Sequence, residues 1–343
     1  MLPSSLPEFD TFLPARGEPA LRWGVIGAGW IAGFFVDAVS AHTAQRITAV
    51  AARSPERAAD FAVRHGIERS HTDVDALLAD PHVDVVYIAA PQSEHLDLGL
   101  RAIAAGKDVL VEKPLAITPA DARTLIEAAT RAGVFLMEAM WSRYQPQSLL
   151  IRRLIEEGVI GDPMSVIADH GQPLAKDPHH RLLAPGTGGG ALLDLGIYPV
   201  QLDSMVLGAP DRIEVTGSLT DSGVDATSTL VLGHGAEQST LMTSILTRTP
   251  TVAAICGAEA RIEIAGPFHV PTAITVRSND LFEPPQEWAD ATGVALMDGL
   301  AWEATAFATY VGEGRAESPL HTHAETVSIL ETIDTARRRL GAR

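Results

Sequence analysis

The chain has 343 residues, 46% hydrophobic and 20% charged. These are the proportions of a globular protein too long for one ordinary core and suited to two domains. A formal net charge of −17 sets it against phosphate backbones and argues against general nucleic-acid binding. Its single cysteine, Cys256, excludes an intrachain disulfide and points to a reducing compartment, the cytoplasm.

Residues 1–20, "MLPSSLPEFDTFLPARGEPA", have neither a basic start nor an apolar stretch and read as an N-terminal extension, not a secretory signal. No apolar run approaches the ~20 residues of a membrane span, so no membrane partner is expected. From residue 21 to 140 short apolar runs alternate with helical periods. "LRWGVIG", "RITAVAA", "VDVVYIAA", "KDVLVE" and "VFLMEA" read as strands, and residues 30–41, 55–65, 94–105 and 119–132 as helices. Ser54 before Pro55 is an N-cap with proline at N1, and Thr118 with Asp121 has capping-box spacing. Strands rich in Val and Ile separated by helices specify a doubly wound parallel α/β sheet.

After Met140 the rhythm changes, and residues 141–343 read as a second, α+β domain. A helix over 147–157 leads to the strand "GDPMSVIADHG", a loop over 172–189 and a helix over 190–207. Six strands follow with short turns: "RIEVTGSL", "ATSTLVLG", "QSTLMTSIL", "TVAAICG", "ARIEIAG" and "AITVRS". Helices near 299–313 and 323–339 close the chain. Such strands build an open, mostly antiparallel sheet. Val231, Leu241 and Ile245 crowd it with apolar side chains, and a homodimer or higher oligomer through that sheet is expected. Cys256, in the small apolar run "VAAICGAEA", reads as an inert core thiol.

"GVIGAGWIAG" sets Gly27, Gly29 and Ala32 in a G-x-G-x-x-A pattern at a strand-to-helix turn. Gly27 permits the turn, Gly29 lets a pyrophosphate approach the backbone, and Ala32 lets the helix pack on the sheet. Trp30 and Ile31 open the helix whose free N–H groups would face the phosphates. An NAD site usually carries an acid at the end of the second strand. Here Arg53 and Ser54 stand there, with Arg57 a turn further on, which favours NADP with NAD possible.

Ligands of a doubly wound sheet bind beyond the carboxyl ends of its strands. Ala90 and Pro91 lie at one such end, with His95 just beyond, and Glu112 and Lys113 at the next. Pro114 restricts the backbone of Lys113, fixing where the ammonium points. The histidines, His179–His180 and His321-x-His323 included, lack the spacing of a metal site.

The segments "GVIGAGWIA", "ARSPERA", "AAPQSEHLD", "LVEKPLAIT" and "GGGALLDLGIYPV" together resemble the glucose–fructose oxidoreductase and inositol dehydrogenase (Gfo/Idh/MocA) family, from Leu21 to Arg339. "FLMEAMWSRYQP" with "GGALLDLGIY" is most similar to its dimeric dihydrodiol dehydrogenase branch. The resemblance implies a Rossmann domain followed by an α+β domain. It implies an NAD(P)-dependent dehydrogenase or reductase acting on a sugar or related cyclic diol. By it, Lys113, Asp194 and Tyr198 are catalytic, and Trp141 and Arg143 sit beside the nicotinamide. Lys113, Tyr198, His179, His180 and Arg181 would contact substrate. Many relatives carry histidine where Tyr198 stands, so either Tyr198 or Lys113 carries the proton. Two other readings compete: a cofactor-binding regulator without catalysis, and a glycosidase that uses NAD transiently. The intact Lys113, Asp194 and Tyr198 set argues against the first, and Arg53 with Ser54 against the second.

Overall fold

A computed structural model describes residues 2–3, 5–12, 17–175, 177 and 180–342. The chain forms two compact units, residues 11–144 with 295–326, and residues 1–10 with 145–294 and 327–343.

The first unit runs β1 (Arg22–Ile26), α1 (Trp30–His42), β2 (Arg46–Ala51), α2 (Pro55–His65), β3 (Arg69–His71), α3 (Val74–Leu78), β4 (Val85–Ile88), α4 (His95–Ala104), β5 (Asp108–Glu112), α5 (Pro119–Ala132) and β6 (Leu136–Ala139). All six strands are parallel, in the order β3-β2-β1-β4-β5-β6. The order reverses beside β1, which makes the crevice at the ends of β1 and β4 the ligand position of this fold. The expected caps are present: Ser54 Oγ accepts from Arg57 N at 3.3 Å and Thr118 Oγ1 from Asp121 N at 3.1 Å. Both helices end on a left-handed glycine, Gly66 and Gly133. The strand β3 and helix α3 are absent from the pattern read in the sequence, because they are too short for a period to show.

The second unit begins with α6 (Pro146–Glu156) and β7 (Pro163–Gly171), then α7 (Ile197–Leu207) and the strands β8 (Arg212–Leu219), β9 (Asp225–His234), β10 (Glu237–Ser244), β11 (Ala253–Gly257), β12 (Ala260–Ile264), β13 (Ile274–Ser278) and β14 (Gln286–Trp288). The sheet order is β14-β13-β12-β11-β7-β10-β9-β8, antiparallel throughout except for the β7–β10 pair. The expected helix over 190–207 is a π turn, Leu192–Gly196, that passes into α7. Asp225 meets the irregular start. Its carboxylate accepts from Leu192 N at 2.6 Å, and Gly190, at φ 106°, leaves the room it needs. Leu241 and Ile245, two of the residues that suggest an oligomer in the sequence, are buried inside this unit. Ile167 and Val252 are exposed instead, beside Met242, around a groove of about 550 Å³ on the sheet. Cys256 on β11 is half-buried.

Two further helices follow, α8 (Leu300–Gly312) and α9 (His323–Leu340). In the first unit Phe307 of α8 packs on Trp23 of β1 at 4.8 Å between ring centroids. Trp23 also meets Phe35 at 5.5 Å, and Phe35 stacks on Tyr87 at 3.9 Å. This aromatic core holds β1 and β4 rigid below the glycine turn.

Candidate functional site

The glycine turn follows β1. Gly27 has φ 112°, and a Cβ there would lie 2.5 Å from Ala89 O, so only glycine lets β1 turn this close to the end of β4. A Cβ on Gly29 would meet nothing nearer than Ala89 O at 4.0 Å, which leaves its face open. The first turn of α1 carries no acid, and no side chain caps it. No acid or capping side chain therefore competes for its N–H groups and dipole, which suits a diphosphate. Ile31 is half-buried and Trp30 is 71% exposed, its ring edge-on to Phe34 at 4.9 Å. These residues fit a dinucleotide.

At the end of β2, Arg53 and Arg57 are exposed. Arg57 donates to Ala28 O in the glycine turn at 3.4 Å. The Ser54 hydroxyl, a phosphate donor by the sequence pattern, donates instead to the Glu56 carboxylate at 2.7 Å.

Lys113 follows β5 and is half-buried. Its neighbours are each tied down. Glu112 is buried, accepting from Tyr87 Oη at 2.5 Å and from Lys113 N at 3.1 Å. The carbonyl of Pro114 lies 2.9 Å from His95 Nδ1, and the other ring nitrogen of His95 lies 3.0 Å from Ala90 O. Leu115 N donates to Glu138 at 2.9 Å. Burial raises the pKa of Glu138, but His321 at 2.8 Å and bonds from Leu115 and Thr326 outweigh it and hold the carboxyl below its usual range. Glu138 is therefore an anion that anchors the loop. The backbone of Lys113 thus stands on Tyr87, on Glu138 and, through Pro114, on His95. The sequence pattern gives none of the three that supporting role. Pro91 is exposed, while Trp141 is buried.

Arg143 is 0% exposed, and its guanidinium binds Glu325 at 3.0 Å and Leu320 O at 3.1 Å.

In the second unit Asp194 lies in the π turn and Tyr198 in the first turn of α7, and both are buried. The regular four-residue spacing of an α-helix does not carry across that turn. Arg181, a substrate contact by the family resemblance, bonds Asp194 at 2.8 Å. His180 caps a separate short helical turn, Arg181–Leu183, its ring nitrogen accepting from Leu182 N at 3.3 Å. His179 lies outside the described residues. Two histidines that no sequence motif singles out surround Tyr198. Its ring lies 4.5 Å from His269 and 5.4 Å from His170, and the two imidazoles stack at 4.3 Å. Gln172 lies 3.0 Å from His170 Nε2, and Gln145 donates to His269 O at 3.0 Å. One signal is readable in the sequence: Val166, Ala168 and His170 alternate on β7, which puts His170 on the buried face.

A family model described as "Oxidoreductase family, NAD-binding Rossmann fold" matches residues 21–140, and one for the "GFO/IDH/MocA C-terminal domain" matches 148–266. The chain belongs to the Gfo/Idh/MocA oxidoreductase family. As a member it is an NAD(P)-dependent enzyme of the dehydrogenase and reductase type, acting on CH–OH groups. Trans-1,2-dihydrobenzene-1,2-diol dehydrogenase of Xenopus laevis is 36% identical over 328 residues, covering 94% of this chain and 98% of the relative. The Homo sapiens protein of that name is 31% identical over 327 residues, covering 94% and 97%. A 3-ketoreductase from Actinomadura kijaniata, solved with NADP and TDP-benzene, is 28% identical with a TM-score of 0.79, covering 95% and 98%. Levoglucosan dehydrogenase, solved with NADH and levoglucosan, shares the fold at a TM-score of 0.84 and 21% identity, covering 93% and 96%. No helix among the described residues is long and apolar enough to cross a membrane.

Proposed function

We propose that this Gfo/Idh/MocA enzyme is an NADP-preferring oxidoreductase of a sugar or related cyclic diol, with Lys113, Asp194 and Tyr198 as its catalytic residues. The fixed lysine after β5 carries the reading. Its flanking residues are bonded on both sides, the support a catalytic ammonium needs to keep its direction.

When bound, the nicotinamide cofactor exchanges a hydride with the substrate carbon. The chain's own part is to handle the proton on the substrate oxygen. A free tyrosine has a pKa near ~10, too high for a base at neutral pH. A neighbouring ammonium favours the phenolate. Tyr198 carries the proton, and Lys113 hydrogen-bonds the substrate oxygen and steadies its developing charge. Asp194, fixed by Arg181, orients the pair. Gly27, Gly29, Trp30 and Ile31 receive the diphosphate end. Ala90, Pro91, Glu112 and Trp141 shape the site, and Arg53 and Arg57 receive the 2′-phosphate. His179, His180, His170 and His269 supply contacts for substrate hydroxyls.

A second copy of the chain covers the apolar groove around Ile167, Met242 and Val252, giving a homodimer. A protein with one cysteine suits the cytoplasm.

The test is absorbance at the reduced-nicotinamide band with a panel of aldoses, inositols and a dihydrodiol, run with NADP and then NAD. Turnover with one of them, abolished in Lys113→Ala, supports the assignment. Tight cofactor binding with no turnover on the whole panel would overturn it.

A further inference from the structure

The end of β2 has no acid in the chain, but it has one in space. Glu94 ends the short helical turn Gln92–Glu94 after β4. Its carboxylate lies 3.2 Å from the guanidinium of Arg53. The Arg53 side chain is 82% exposed and that of Glu94 is 32% exposed. Arg53 is therefore a reachable cation that already has a counter-ion.

We propose that Glu94 is a specificity-determining residue that restrains the preference for NADP by competing with the 2′-phosphate for Arg53. The inference rests on the reading of Arg53 as the phosphate's partner.

The two cofactors differ at one oxygen. A phosphate monoester carries about −1.5 to −2 charges at neutral pH. To reach Arg53 it must displace the Glu94 carboxylate or lie beside it, and either is unfavourable. A ribose 2′-hydroxyl is neutral. It leaves the ion pair intact and can donate to a carboxylate oxygen, as it does to the acid usually found at the end of the second strand. Glu94 thus supplies from β4 what β2 lacks. It narrows the gap between the cofactors without closing it, because an exposed ion pair is weak. The Glu56 carboxylate acts in the same sense by holding the Ser54 hydroxyl.

The experiment measures dissociation constants of NADP and NAD by calorimetry on the whole protein, for the wild type, Glu94→Gln, Glu94→Lys and Arg53→Ala. Glu94→Gln is expected to raise NADP affinity relative to NAD by about three- to five-fold at low salt. Glu94→Lys should extend that gain. High salt should shrink it, since exposed charges are screened. An unchanged or smaller ratio in both Glu94 variants, with Arg53→Ala losing NADP affinity, overturns the role of Glu94 and leaves the NADP reading standing. An Arg53→Ala variant with an unchanged ratio overturns both.

Discussion

His95 Nδ1 lies 2.9 Å from the carbonyl oxygen of Pro114, the residue that follows Lys113. Its Nε2 lies 3.0 Å from Ala90 O. One imidazole therefore sits between the ends of β4 and β5. Burial lowers the pKa of His95, and its two carbonyl neighbours offset this only in part, so the ring is neutral at pH 7. A neutral ring has one N–H and serves one of the two carbonyls. A pKa depressed on folding contributes stability that is present above the unfolded value of 6.5 and lost as pH falls. His95→Leu should cost about 1–3 kcal/mol at neutral pH and flatten the loss of stability below about pH 6.5. Urea melts of both proteins from acid to neutral pH measure this. Equal slopes would show that His95 does not titrate between the two states.

Gly27→Ala should abolish cofactor binding without touching a polar group. The backbone at φ 112° is strained for any residue with a Cβ, and that Cβ would meet Ala89 O at 2.5 Å. Relief requires β1 and the end of β4 to part, which moves the glycine turn. The strain alone is about 1–2 kcal/mol. A folded variant that still binds NADP with wild-type affinity in calorimetry would show that the turn tolerates the shift.

The local signals of the sequence are accurate where the physics is local. Ser54 and Thr118 are caps because their hydroxyls bond N–H groups three residues on. Lys113 is legible at a strand end because an apolar run stops there. What the sequence hides is separation along the chain. Arg143 is buried against Glu325, Glu94 reaches Arg53, and His269 meets Tyr198. No periodicity connects such residues, because tertiary folding alone brings them together. The partner of the π turn is hidden for the same reason: Asp225, which bonds its first N–H, comes from another strand.

Tyr198 and His269 give a prediction that a merely structural role would not match. The rings lie 4.5 Å apart with His170 stacked behind. Removing His269 takes away a ring that packs against the phenol. A small misplacement of a reacting group costs about a hundred-fold. His269→Ala should therefore lower kcat by about ten- to a hundred-fold, with cofactor affinity unchanged. Tyr198→Phe should lower kcat by about a hundred-fold or more and remove the acid limb of the pH profile for alcohol oxidation, where the phenolate is the base. Full activity of Tyr198→Phe at every pH would assign the proton to Lys113.

Glu303 on α8 is 0% exposed, and neither of its carboxyl oxygens has a hydrogen-bond partner among the described residues. Burial, reinforced by the nearby charge of Glu112, pushes its pKa well above the ordinary 4.5. The folded protein therefore holds Glu303 protonated, while the unfolded chain releases the proton above 4.5. The stability Glu303 allows is complete below that value and is lost as pH rises toward the folded pKa. Glutamine keeps the shape and cannot ionise in either state. Glu303→Gln should raise Tm by about 2–6 °C at neutral pH, and the two proteins should converge as pH approaches 4.5. Thermal melts across that range decide it. A Glu303→Gln variant that is less stable at every pH would show that the carboxyl makes a bond in solution that glutamine cannot replace.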